Sequence, residues 1–112
     1  MDGSFALSTK RRRGLRLPLE LPVLFECAGD KVRALTTNVG LGGAFIKSLE
    51  RPAYGARLDL WIALPGAALS HLLCVVRWYD DSGFGVQFLQ VSAQNAHALT
   101  QLMREPAADA LR

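Results

Sequence analysis

Short apolar runs separated by turn residues constrain the fold of this chain more than any other feature of its sequence. Several runs alternate apolar and polar side chains, as a strand with one buried face does; Leu58, Leu60 and Ile62, for example, share one face. Glycine, proline, asparagine and aspartate stand between the runs and favour turns. The pattern predicts six strands, at residues 19–27, 32–38, 44–48, 57–64, 71–79 and 84–90.

After the last predicted strand, the spacing of apolar residues changes to that of a helix. Ser92 is a suitable N-cap, Arg104 suits the last turn, and Pro106 is expected to end the helix. The segment 92–104 is therefore predicted to be one amphipathic helix. Its apolar face comprises Ala96, Leu99, Leu102 and Met103.

Together these elements predict an all-β fold with one C-terminal α-helix. Six short strands favour a small antiparallel barrel, because closure removes exposed sheet edges. A helix with one apolar face needs a surface to cover, and the open end of the barrel provides it. The chain of 112 residues is long enough for one such domain. We predict an N-terminal arm at 1–10, the barrel domain with its helix at 11–104, and a flexible tail at 105–112.

Positive charge is concentrated at one place in the sequence. The segment from Lys10 to Arg16 contains five of the thirteen lysines and arginines, and without it eight cations face ten carboxylates. Charge localised in this way indicates an anionic partner that is met at one site.

The sequence offers little for catalysis or metal binding. His71 and His97 have no sequence neighbours at metal-ligand spacing, so we expect structural or surface roles. Asp80 and Asp81 lie in the sequence DDSG, which is typical of a turn, so turn formation accounts for both carboxylates. No catalytic motif is found, and we predict a protein that is not an enzyme and has no catalytic residue, metal or cofactor. Trp61 and Trp78 are expected to pack in or over the barrel.

The sequence also suggests a compartment. Its start lacks the apolar stretch of a signal peptide, and no window is long and apolar enough for membrane insertion. Cys27 and Cys74 each lie in an apolar run, and we expect both to be reduced, buried thiols. We therefore predict a cytoplasmic protein.

Two motifs stand in a fixed order along the chain. The basic segment contains R-x-x-x-R, formed by Arg12 and Arg16. The second motif, Asn38-x-Gly40-x-x-Gly43, lies between the second and third predicted strands. Basic runs often contain R-x-x-x-R by chance. The first motif is therefore informative only together with the second, in this order and at this spacing.

With these motifs, the sequence from Lys10 to Arg104 resembles the PilZ domain family. That family combines R-x-x-x-R with a downstream [D/N]-x-S-x-x-G motif and a six-stranded barrel that ends in a helix. The segments VVRW (75–78) and GFGVQF (83–88) are similar to its closing strands. The resemblance therefore implies a bacterial PilZ-type β-barrel.

The resemblance also implies a ligand, the bacterial second messenger cyclic di-GMP. Guanidinium groups suit it because they fork onto phosphates or guanine edges and stack on bases. An arginine at position 11 is compatible with a stacked ligand dimer. Position 40 departs from the family pattern, since glycine replaces the expected serine and its hydroxyl, which predicts weakened binding. The implied ligand-binding residues are Arg11, Arg12, Arg16, Asn38, Gly40 and Gly43.

Three functions remain open from the sequence. The first is a stand-alone cyclic di-GMP receptor that rearranges its N-terminal arm and relays the signal to an effector protein, in motility or exopolysaccharide regulation. The second is a PilZ-like adaptor that has lost nucleotide binding and acts only by protein contact, as Gly40 suggests. The third is a nucleic-acid binder, which the acidic balance outside the basic segment disfavours.

Overall fold

The computed structural model describes residues 16–66 and 69–110, with side chains to residue 103. These residues form seven strands and one helix. The elements are β1 (Arg16–Leu17), β2 (Pro22–Cys27), β3 (Asp30–Gly40), β4 (Gly43–Lys47), β5 (Arg57–Ala63), β6 (Leu69–Asp80), β7 (Gly83–Gln90) and α1 (Ala93–Ala110).

Six of the strands close into a barrel. Antiparallel neighbours follow the order β3-β2-β5-β6-β7-β4, and pairing of β3 with β4 completes the ring. The predicted all-β fold, a six-stranded antiparallel barrel with one C-terminal helix, is confirmed. The seventh strand, β1, is a two-residue strand that pairs with the end of β3, where Arg16 lies opposite Gly40.

The first predicted strand is wrong at its N-terminal end. Instead of one strand from residue 19, the chain forms β1, leaves the ladder over 18–21, and enters β2 at Pro22. The buried Thr36 of β3 replaces the missing ladder bonds. Its Oγ1 accepts from the backbone nitrogen of Leu21 at 2.8 Å and donates to the carbonyl oxygen of Leu19 at 2.6 Å. This hydroxyl, together with the backbone hydrogen bond from the Thr36 nitrogen to the Leu21 carbonyl oxygen at 3.0 Å, holds the connection that leads to Arg16.

We expect Thr36→Val to lower the free energy of unfolding by about 1–2 kcal/mol, because two backbone groups lose their partner while the shape of the side chain is kept. Urea unfolding followed by circular dichroism measures the change. Thr37→Val is the matched control, since no side-chain hydrogen bond joins Thr37 to another described residue. Equal stability of the two variants would contradict this role of the hydroxyl.

The barrel interior is filled by the alternating apolar side chains that the sequence predicts. Phe25 and Phe84 meet edge to face, with ring centroids 5.2 Å apart. Burial, with a smaller effect of Asp59, raises the pKa of the Cys74 thiol to about 12 and keeps it neutral at physiological pH. Cys27 is also a free thiol but only half-buried, so the prediction of two buried thiols holds for Cys74 alone.

The C-terminal helix begins as predicted and ends later. The Oγ of Ser92 accepts from the backbone nitrogen of Asn95 at 3.1 Å, which confirms the N-cap. Leu99 and Leu102 join the barrel core, whereas Ala96 is exposed. Helix α1 continues past Pro106 to residue 110, because proline removes one backbone donor without always ending a helix. Within the described ranges, no helix has both the length and the apolar character for crossing a membrane.

Candidate ligand-binding face

The structure brings Arg16 and Asn38 together on the outside of the barrel. Arg16 pairs with Gly40 across β1 and β3, so its side chain begins beside the second motif. From there Nη1 donates a long hydrogen bond of 3.4 Å to Oδ1 of Asn38. Residues 22 positions apart in the sequence thus form one polar contact.

A β-bulge turns Asn38 outward. Thr36 pairs with Ile46 and Asn38 pairs with Phe45, which leaves Thr37 as an extra residue in β3. In a regular strand Asn38 would share the inward face of Thr36, because side chains alternate. The extra residue reverses this alternation and directs the asparagine to the outer face.

Gly43 makes room for the arginine. A Cβ on Gly43 would collide with the carbonyl oxygen of Val86 and lie 3.2 Å from Nη2 of Arg16. The positive-φ glycines of the described chain are Gly29, Gly55 and Gly66, so Gly43 is needed here for close approach. The side chain of Arg16 therefore crosses β4 where that strand has no side chain of its own.

Trp78 forms the other wall of this face. Its indole lies over Gly85 of the neighbouring strand, where any Cβ would collide with the ring. The guanidinium carbon of Arg16 lies 4.6 Å from the centre of the indole. Trp78 keeps 37% of its surface exposed beside the arginine. Packing over the barrel was the expected role, and the contact with Arg16 depends on cross-strand register that the sequence does not display.

The electrostatics of this face favour an anion. Burial lowers the pKa of the Arg16 guanidinium, whose high starting value still leaves it charged at neutral pH. Among the described residues, no carboxylate forms an ion pair with Arg16. A partly desolvated cation without a counter-charge binds an anion more strongly than a fully hydrated one does.

The predicted site residues that the structure describes lie together. Gly40 is buried at the end of β3, beside the backbone of Arg16. Arg11 and Arg12 lie outside the described residues. We will refer to the outer surface formed by Arg16, Asn38, Gly43, Trp78 and Gly85 as the arginine face.

Other titratable side chains do not form a second centre in the described chain. Nε2 of His71 lies 2.7 Å from Oδ1 of Asp59 on the surface, and His97 is exposed on the helix. Asp80 accepts hydrogen bonds from Ser82 and Gly83 within the β6–β7 turn, as a turn residue should. The described side chains, over 16–66 and 69–103, include no cluster of three histidine, cysteine or acidic residues that would hold a metal.

Comparison with known protein families assigns the chain to one of them. The family model of the PilZ domain matches residues 10–105, nearly the whole chain. This chain belongs to the PilZ domain family. The match includes the basic segment, the second motif and the closing strands.

Two solved structures share the PilZ fold of this chain. One is the Bacillus subtilis inhibitor of motility (MotI/DgrA), with a TM-score of 0.73, 21% identity and 87% of this chain covered. The match spans 51% of that protein, so this chain corresponds to about half of its length. The other is the PilZ domain of CeSA from a cellulose-synthesizing bacterium, with a TM-score of 0.60 and 19% identity. It covers 78% of this chain and 92% of that domain. No curated protein sequence matches the chain.

Proposed function

We propose that this PilZ domain is a receptor for cyclic di-GMP that passes the signal to a partner protein. One observation carries the proposal: Arg16 and Asn38, one from each motif, meet on the same outer face of the barrel. Family membership supports it, since PilZ domains are receptor or adaptor domains.

The chemistry of the arginine face suits this ligand. Cyclic di-GMP carries two phosphates and two guanines, and the guanidinium of Arg16 can fork onto a phosphate or a guanine edge. The amide of Asn38 supplies both a donor and an acceptor for a base. The part of the Trp78 indole that stays exposed would contact a guanine held by Arg16. Each charged hydrogen bond contributes about 1.5–3 kcal/mol, and micromolar affinity requires about 8 kcal/mol in total.

The relay to a partner would run through the N-terminal arm. Arg12 precedes Arg16 by four residues, and Arg16 opens β1, so a ligand on the arginine face would bind where the chain leads back toward Arg12 and the arm. We propose that Arg11 and Arg12 close over the bound ligand and thereby change what the arm presents to an effector protein. The similar structures, an inhibitor of motility and a domain from a cellulose-synthesizing bacterium, support an output in motility or exopolysaccharide production.

Titration calorimetry with cyclic di-GMP at physiological salt tests the proposal. Saturable heat is expected, and no heat at about 100 μM protein and ligand would reject binding of useful affinity. Tryptophan emission gives a second readout. The Trp61→Phe variant, which retains Trp78, should change its emission on titration, whereas Trp78→Phe, which retains the distant Trp61, should not. A flat titration with an unchanged melting temperature, together with co-purification of a partner, would favour the nucleotide-free adaptor.

Position 40 offers a gain-of-function test. Restoring the family serine with Gly40→Ser is expected to tighten binding roughly three- to tenfold, because one neutral hydrogen bond contributes about 0.5–1.5 kcal/mol. The same calorimetric titration measures the change. Gly42→Ser, at an exposed position of the same loop, is the control and should leave the affinity unchanged. Unchanged or weaker binding by Gly40→Ser would show that position 40 does not limit affinity.

A further inference from the structure

A second β-bulge places another arginine on the outside of the barrel. Val76 pairs with Val86 and Trp78 pairs with Gly85, which leaves Arg77 as the extra residue in β6. Two consecutive side chains, Arg77 and Trp78, are consequently both exposed on the outer surface, where a regular strand would send one of them inward. The bulge thus adds a cation next to the wall of the arginine face.

Gln87 orients this arginine. The Nε of Arg77 donates to Oε1 of Gln87 at 2.8 Å. Because a guanidinium only donates, the amide must present its oxygen to the arginine, and the contact restrains the direction of the Nε–H bond. Neither Nη group of Arg77 hydrogen-bonds to a described residue, so both remain available for a ligand.

The register brings Arg77 and Arg16 to the same part of the surface. Gln87, which holds Arg77, pairs directly with Gly43 across β7 and β4. Gly43 is the position over which Nη2 of Arg16 lies. Neighbouring strands are about 4.8 Å apart, so the two guanidinium groups approach one strand pair from opposite sides. Over the described ranges neither arginine has a carboxylate partner in an ion pair.

We propose that Arg77 is a second phosphate-binding side chain of the arginine face, positioned by Gln87, and that it binds the same ligand as Arg16. Two nearby cations repel each other, and an anion with two phosphates relieves this repulsion by placing one negative charge near each. The inference rests on the proposed function and extends it by assigning a ligand contact outside both sequence motifs.

Calorimetry with cyclic di-GMP tests this role in the full chain. Arg77→Ala is expected to weaken binding about tenfold, the loss of one charged hydrogen-bonding group. Affinity measured from low to high salt should also depend less steeply on salt than in the wild type, because one phosphate contact is gone. Arg33→Ala, which removes an equal charge at an exposed position of β3, should change neither quantity.

A second variant separates positioning from charge. Gln87→Leu keeps Arg77 but removes its acceptor, so we expect a smaller loss of affinity, about two- to fourfold, with the salt dependence of the wild type. Binding by Arg77→Ala that equals binding by Arg33→Ala, at equal melting temperatures, would overturn the inference while leaving the receptor function intact. Absence of binding by the wild type would reject both proposals together.

Discussion

Replacing Arg16 by alanine is expected to weaken cyclic di-GMP binding about 100-fold. The variant removes a partly desolvated guanidinium that stands 3.4 Å from Asn38 and against the indole of Trp78. Losing two charged hydrogen bonds of about 1.5 kcal/mol each corresponds to a change of this size. Calorimetric titration of the variant against the wild type measures the effect.

Two further variants give this experiment its controls. Arg33→Ala removes the same charge from an exposed position of the same barrel and should bind as the wild type does. Arg16→Lys keeps the charge but loses the planar fork, so its affinity should fall between those of the wild type and Arg16→Ala. A circular-dichroism melt checks that each variant is folded. Wild-type affinity in a folded Arg16→Ala protein would remove the arginine face from the ligand site.

The second large effect concerns stability, at Gly43. Gly43→Ala is expected to lower the free energy of unfolding by about 3 kcal/mol, because the added methyl group meets the backbone oxygen of Val86. The backbone of Val86 cannot rotate away as a flexible side chain would, so β4 and β7 must separate locally to make room for the methyl group. The methyl group also lies close to Nη2 of Arg16, and binding by the remaining folded protein should be weakened as well.

Urea unfolding with Gly29→Ala as the control measures the stability effect. Gly29 has a φ of +85° and nothing within 4 Å of an added Cβ, so alanine there introduces backbone strain without a collision. A loss of about 1 kcal/mol is expected at Gly29. A loss at Gly43 no larger than the loss at Gly29 would show that the two strands adjust easily to the methyl group.

The strands and the helix could be predicted because their signals are local. Alternation in Leu58, Leu60 and Ile62 reports one buried face, and all three side chains are buried. The Ser92 cap is read from residues within one turn of the helix. The end of the helix was predicted wrongly because the helix continues through Pro106. The first strand was predicted as continuous from residue 19, whereas the chain leaves the ladder before Pro22, where the hydroxyl of Thr36 from another strand supports the break.

The candidate site also combines residues that the sequence predicts with residues that it does not. Arg16 and Asn38 could be predicted because they follow a motif spacing shared across the family. The sequence did not predict that Trp78 contacts Arg16, or that Arg77 lies near the same face. Their placement depends on the bulge in β6 and on a glycine opposite the indole.

The order of apolar and turn residues along the chain was therefore enough to predict the six barrel strands approximately, the start of the helix and the barrel class, and motif spacing singled out Arg16, Asn38 and Gly43 of the arginine face. Tertiary structure decided which side chains meet on that face. A bulge shifts every later side chain of its strand to the opposite side, and the pairing that creates it lies with residues far away in the sequence. The free energy that favours one register comes from packing between strands, so it cannot be predicted from the residues of one strand alone.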